Sequence, residues 1–315
     1  MQETIYLKSD EEVRALAGVV DNNIRTIERL TSADVFLRDR AVTIKASRKA
    51  ELEACKDLIA TLLQAWNEGR SVEEMLDRQA KRQEHPVELG ADSLIKFSHH
   101  KKEITPRSKG QTGFVRAVYD KDIVFCIGPA GTGKTYLAMA LAVEYLKQDR
   151  VERIILSRPA VETGEKLGYL PGDLNAKINP YLRPLLDALY EMMDPLEIVE
   201  KMEQNVIEIL PLAYMRGRTF NDAFVILDEA QNASSLQVKM FLTRLGFGSK
   251  MVVTGDITQI DIPADKRSGL VEVQHLLKGI EGIAFVYLTE KDVVRHLLVK
   301  EILKAYEKKH SHTKK

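Results

Sequence analysis

The chain has 315 residues, with 46 Lys+Arg balanced by 46 Asp+Glu, so net charge gives no argument for a polyanion partner and any nucleic-acid surface must be a local patch. It is 44% hydrophobic and 29% charged, an ordinary globular composition at a length that suits two domains. Its two cysteines, Cys55 and Cys126, lie far apart in apolar surroundings, which argues against a disulfide framework or a Cys-rich zinc site and favours a reducing compartment. The N-terminus is acidic and lacks a basic-then-apolar leader, and no apolar run approaches a membrane span. The expectation is a cytoplasmic protein with no membrane contact.

Residues 1–66 predict a small α+β domain. ETIYLK reads as a strand, and DEEVRALAG as a helix closed by Gly18. A second helix, NNIRTIERLT, carries Ile24, Ile27 and Leu30 at helical spacing, with Asp21 or Asn22 as its cap. ADVFLR and RAVTIKAS read as strands joined by a tight turn near Asp39. A third helix runs from after Ser47 to about Trp66, with Leu52, Cys55, Leu58, Ile59 and Leu62 on one face. The order is β-α-α-β-β-α.

Residues 67–107 turn charged and polar, and predict a peripheral helix near 71–84 followed by a linker. From 108 to 315 apolar strands alternate with helices: DIVFCIG, RIILS, NVIEIL, AFVILD, MVVTGD and IAFVYL. Such unbroken apolar runs suit a largely parallel sheet covered on both faces, an α/β fold. Between Arg158 and Asn205 five prolines mark a structured insertion, too long for a plain crossover.

GPAGTGKT, comprising Gly128, Pro129, Ala130, Gly131, Thr132, Gly133, Lys134 and Thr135, follows one of these strands and precedes the helix YLAMALAVEYL. The pattern is that of a P-loop. Glycines let successive backbone N–H groups turn inward as an anion nest, and the helix N-terminus adds its partial positive charge. Lys134 supplies a point charge for the β- and γ-phosphates, and the Thr135 hydroxyl can ligate Mg²⁺.

VILDEAQN supplies the second half. Asp228 stands at the carboxyl edge of a strand, where it can hold Mg²⁺, and Glu229 beside it can polarise an attacking water. After the next strand, GDITQID places Gln259 within reach of a γ-phosphate or that water. TQID also faintly matches a guanine-reading loop, but Gln259 occupies the position that needs Lys, which argues for ATP over GTP. Gln111, upstream of the P-loop, is set where an adenine-reading glutamine can be. A small-molecule kinase is disfavoured by the Asp228–Glu229 pair and the lack of an evident lid.

Together with ITPRSKGQ, SRPAVETGEKLGYLPGD, NPYLRPLLDAL, LPLAYMRGRTFNDAF, KMFLTRLGFGSK and DVVRHLLVKEILKAYE, these segments resemble the PhoH family of ATPases over about residues 104–308. The resemblance implies a RecA-like P-loop core similar to that of superfamily-one helicases, ATP hydrolysis with Mg²⁺, a cytoplasmic location and a role in RNA metabolism. It also points to a link with phosphate starvation and to assembly as rings, neither of which any spacing in the chain shows. A helicase-like activity on RNA and partnership with a ribonuclease are the corresponding roles. The rival reading is an ATP-dependent switch or scaffold that controls assembly with a protein partner.

The N-terminal order resembles a KH-type RNA-binding module, which clamps phosphates with G-x-x-G between its first two helices. Here the loop reads GVVD, and Asp21 in place of the second glycine would repel a phosphate. A structural or protein-binding role stands beside RNA binding for this domain. Arg158 follows a strand where helicase relatives place a nucleic-acid-contacting loop, and Arg216 and Arg218 are candidates for an RNA phosphate or a neighbouring subunit's γ-phosphate, with pairing to local carboxylates as the alternative for each; Arg183 and Arg244 lie in the same family blocks. Arg295 is the first choice for a sensor or arginine finger, whereas His296 reads as a packing residue. The stretch 108–315 suffices for one RecA-like lobe and its insertion, so the expectation is a homo-oligomer that completes the site in trans, with a frayed basic tail at the C-terminus.

Overall fold

The computed structural model describes residues 1–67, 69–84, 95–96, 103–159, 174–263 and 267–294, together with 298 and 302. The chain divides into two compact units, Met1–Glu88 and Leu89–Lys315.

The first unit contains β1 (Gln2–Tyr6), α1 (Asp10–Ala17), α2 (Asn22–Thr31), β2 (Asp34–Arg38), β3 (Ala41–Lys45), α3 (Lys49–Asn67) and α4 (Val72–Glu84). The three strands form an antiparallel sheet in the order β1-β3-β2. Alternation decides which face is covered: Val35, Val42 and Ile44 are buried among Leu16, Ile27, Ile59 and Leu62, while the opposite face carries polar and aromatic residues. Gly18 ends α1 at φ +69, as expected from the sequence, and Ser9 caps its start. The cap of α2 differs. Asp21 holds the cap position in a left-handed conformation, and its side chain bonds none of the helix N–H groups.

Residues 67–107, expected as one charged helix and linker, divide between the two units. Val72, Leu76 and Ala80, four residues apart along α4, are buried, and the first two join the core of the N-terminal unit. Two short strands, β4 (Ile95–Lys96) and β5 (Glu103–Ile104), pair with each other and belong to the second unit.

The second unit continues with α5 (Lys109–Asp120), β6 (Ile123–Ile127), α6 (Lys134–Lys147), β7 (Arg153–Ser157), α7 (Leu174–Met192), α8 (Pro195–Glu203) and β8 (Ile207–Ile209). It then runs through β9 (Ala223–Leu227), α9 (Ser235–Leu242), β10 (Lys250–Gly255), α10 (Gly269–Leu276) and β11 (Ile283–Tyr287). The six strands β6 to β11 form one fully parallel sheet in the order β11-β6-β10-β9-β7-β8. Residues 123–127 and 223–227 are buried at every position, because helices cover both faces. On one side Val124, Cys126, Phe224 and Val252 pack with α5, α6 and α7; on the other Phe125, Val225, Met251 and Val253 pack with Val238 and Phe241 of α9 and Leu270 of α10.

This is the three-layer α/β core the sequence predicts. The strand order matters for chemistry. The P-loop strand β6 and the acidic strand β9 are separated only by β10, so the carboxyl ends of all three open on one crevice. The insertion after β7 contains α7 and α8, α8 being started by the Asp194 cap and Pro195. Among the described residues no helix is long and apolar enough to cross a membrane.

Candidate nucleotide site

The P-loop links the end of β6 to α6, and close packing forces its shape. Gly128 leaves the strand against β11: a Cβ there would lie 2.6 Å from the Leu288 carbonyl oxygen and 2.8 Å from the Leu288 Cβ. Gly131 and Gly133 adopt φ +81 and +80, a region that favours glycine and turns the intervening N–H groups toward one side. The loop is fastened from outside by Asp256, a buried residue at the end of β10, whose Oδ2 accepts from the Ala130 N–H at 3.1 Å. Its Oδ1 accepts from the Thr258 N–H and hydroxyl at 2.9 and 2.6 Å.

Lys134 is buried and donates to the carbonyls of Gly128 at 2.6 Å and Pro129 at 2.9 Å. Burial pushes its pKa down, while the nearby Asp256, Glu229 and Asp228 carboxylates oppose that shift. Thr135 donates its hydroxyl to Asp228 Oδ1 at 2.7 Å. Thr254, on β10, donates to the same oxygen at 2.6 Å. The second oxygen of Asp228 accepts from no donor among the described residues. A threonine hydroxyl and a carboxylate brought together at the loop are hard oxygen donors of the kind that hold Mg²⁺ through water beside substrate phosphates. The residues therefore fit that cation.

Glu229 follows at φ +53, a left-handed turn that swings its carboxylate away from the strand direction. Its Oε1 accepts from Arg158 Nη2 at 3.0 Å, and its Oε2 from Gln231 Nε2 at 2.5 Å. Gln231 is buried, and its own Oε1 accepts from the Asp256 N–H at 3.0 Å. One glutamine thus couples the acidic pair to the residue that fastens the P-loop. Gln259 lies on the exposed turn after β10, its N–H bonded to the Asp256 carbonyl.

Beside the loop opens a cavity of about 370 Å³ lined by Ile104, Arg107, Gln111, Gly133, Tyr136, Glu191 and Val294, among others. Gln111 is buried, with Nε2 donating to the Thr132 carbonyl at 2.9 Å and Oε1 accepting from the Arg107 N–H at 2.6 Å. Each end of its amide keeps a second donor or acceptor for a ligand. Tyr136 donates to Glu191 at 3.1 Å, and partial burial with that carboxylate beside it pushes the phenol pKa up to about 12. The Val294 N–H donates to the Gly131 carbonyl at 3.0 Å, so the chain after β11 is bonded to the P-loop. Asp292 fixes that segment to α5 by accepting from Ser108 at 2.6 Å.

Of the sequence candidates, the loop residues 128–135, Gln111, Asp228, Glu229 and Arg158 come together here. Arg218 does not: it forms a two-pronged ion pair with Glu208 at 2.5 and 2.8 Å and lies over the Phe220 ring. Arg244 donates to the Met240 carbonyl in α9 and to the Arg218 carbonyl, and Arg183 pairs with Asp187 one turn along α7. Arg216 is exposed and makes no ion pair among the described residues. Arg295 and His296 lie outside the described residues, as does most of SRPAVETGEKLGYLPGD. Reading motifs alone missed Thr254, Gln231, Tyr136 and Val294. Only Gln231 had a local signal, lying two residues after the catalytic candidate Glu229.

The chain has close relatives in several bacteria. A PhoH-like protein of Mycobacterium tuberculosis strain H37Rv is 51% identical over 300 residues, covering 93% of this chain and 84% of that protein. A PhoH-like protein of Bacillus subtilis strain 168 is 44% identical over 307 residues, with 96% of each chain covered. Protein PhoH of Escherichia coli K12 is 40% identical over 225 residues, covering 70% of this chain and 64% of that one. The profile of the family described as PhoH-like protein matches residues 103–307, which span the P-loop, the acidic pair and the cavity beside the loop, and the chain belongs to that family.

Proposed function

We propose that this chain is a Mg²⁺-dependent ATPase whose turnover is coupled to RNA binding or remodelling. The observation that carries the hydrolytic reading is the hydrogen bond between Thr135 and Asp228, with Glu229 next in the chain. The N–H groups of the P-loop would receive the phosphates, and Lys134 would exchange the Gly128 and Pro129 carbonyls for phosphate oxygens. Thr135 and Asp228 would hold Mg²⁺, which when bound offsets the phosphate charge. Glu229, once released by Arg158, would accept a proton from the attacking water, and Gln259 would orient that water. The base would enter the cavity beside Tyr136 and Gln111, whose amide suits adenine.

Coupling to RNA, cytoplasmic location and homo-oligomeric assembly belong to the same proposal. A single six-stranded sheet among the described residues supports a site completed by a neighbouring copy, with Arg216 or Arg295 as the supplied cation. The bond of Val294 to the P-loop supports the alternative sensor role for Arg295 within its own chain.

A second reading is an ATP-dependent switch that controls assembly with a protein such as a ribonuclease. It is favoured by Glu229, whose two oxygens are both engaged. ATP turnover with and without single-stranded RNA separates the two. The enzyme reading expects RNA stimulation, abolished turnover in Lys134→Ala, and ATP binding without turnover in Glu229→Gln. Full turnover in Lys134→Ala would sink the site assignment, and an absence of RNA binding and stimulation would favour the switch. Sedimentation showing a fully active monomer would remove the oligomer.

A further inference from the structure

We propose that the open face of the N-terminal sheet is a stacking platform for single-stranded RNA. The register brings its residues into three rows across β1, β3 and β2: Gln2, Lys45 and Asp34; Thr4, Thr43 and Phe36; Tyr6, Ala41 and Arg38. Two large aromatic side chains on this face are left in solvent, Tyr6 at 79% and Phe36 at 52% exposure. They stand on opposite edge strands in neighbouring rows, about 12 Å apart along the diagonal of two strand spacings and two residues, and the small residues Ala41 and Thr43 lie between them. The result is a shallow saddle with an aromatic wall on each side.

The charges complement a phosphate chain. Lys45 places its ammonium 5.0 Å from the centre of the Phe36 ring, and Arg38 is exposed in the row of Tyr6 with no ion pair among the described residues. Asp34 is the one acidic group on these rows, at the end where Lys45 lies opposite it. Thr4 and Thr43, with hydroxyls 3.3 Å apart, add hydrogen-bonding groups to the floor. Exposed rings that accept a base on either side, bordered by cations, form a surface that binds single strands with little sequence preference.

The loop between α1 and α2 offers no competing clamp. It ends in the Asp21 carboxylate, and its exposed tip is Val19 and Val20. The sheet face, on the opposite side from the helices, is where aromatic and cationic groups coincide. This inference shares with the proposed function only the class of partner and concerns a different surface.

The test uses the full chain and a short fluorescein-labelled oligouridylate, read by anisotropy at several salt concentrations. Tyr6→Ala combined with Phe36→Ala should weaken binding at least about tenfold, since each lost stack removes a favourable contact. Tyr6→Phe should retain binding, and Arg38→Gln with Lys45→Gln should flatten the salt dependence. Basal ATP turnover should be unchanged in all of these variants, and thermal melting checks that they fold. Unchanged affinity in the double alanine variant overturns the platform, and RNA-stimulated ATP turnover that persists there leaves the ATPase reading intact. A wild-type chain that does not bind the oligonucleotide also overturns it, including the case where the double variant instead loses a protein ligand.

Discussion

Arg158 and Glu229 form an ion pair of 3.0 Å that joins the loop after β7 to the carboxylate beside the P-loop. Two candidates that the sequence assigns to different tasks, strand contact and water activation, are therefore bonded to each other. While the pair holds, Oε1 of Glu229 is occupied, so on the proposed mechanism hydrolysis waits on whatever draws Arg158 away. A phosphate of bound RNA has the chemistry to do so.

Arg158→Gln should raise basal ATP turnover and reduce its stimulation by RNA. The pair is partly exposed, at 21% and 36% of side-chain area, so its strength is about 0–1 kcal/mol and the rise should not exceed about fivefold. Steady-state turnover with and without single-stranded RNA checks this. A fall in basal turnover would mean that Arg158 positions Glu229 rather than restraining it.

Thr254→Val tests how Asp228 is held. Thr254 and Thr135 both donate to Asp228 Oδ1, and Asp228 is buried. Valine keeps the shape and removes one donor from a buried carboxylate, which should cost about 1–3 kcal/mol in urea unfolding. Turnover should also fall as Asp228 loses orientation, whereas Thr254→Ser should retain both properties. Unfolding at the wild-type midpoint in Thr254→Val would show that Thr135 alone satisfies that oxygen.

The parallel sheet and the P-loop were legible because burial on both faces requires unbroken apolar strands, and phosphate binding requires Gly, Lys and Thr at fixed spacing. The N-terminal element order was legible from alternation and helical periodicity. Helix α4 was not placed with that unit, because Glu73, Glu74, Asp77, Arg78, Lys81 and Arg82 mask three apolar residues at four-residue spacing. The cavity beside the P-loop was legible only through Gln111 and the loop glycines, because its other walls are single residues from 104 to 294 that share no motif. Arg218 and Glu208 are ten positions apart and meet only because β8 leads into the loop that returns toward β9. The second role of Gln231, bridging Glu229 and Asp256, needed the strand order β6-β10-β9 to become visible.

Gly128→Ala should damage stability and nucleotide binding together. The added methyl would meet both the backbone oxygen and the Cβ of Leu288 inside 3.0 Å, and neither is the end of a flexible side chain. Either the end of β11 or the start of the P-loop must move, at a cost of about 1–3 kcal/mol. Thermal melting with and without ATP checks it: the melting temperature should drop, and the upward shift given by ATP should shrink. An unchanged shift would show that the displacement is absorbed by β11 alone.

Tyr136→Ala addresses the base. Tyr136 opens the helix side of the cavity, two residues after Lys134, and its ring is held by the bond to Glu191. Removing the ring takes away apolar contact for a planar base without touching the P-loop, so ATP affinity should fall about five- to tenfold while turnover at saturating ATP changes little. Tyr136→Phe separates ring from hydroxyl: it should keep affinity if contact with the ring dominates, because only the bond to Glu191 is lost. With its phenol pKa pushed up to about 12, Tyr136 stays protonated throughout the working range, so neither variant should alter the pH profile between pH 6 and 9. Full ATP affinity in Tyr136→Ala would move the base out of this cavity, and a matching loss of inorganic triphosphate binding would assign the defect to the P-loop instead.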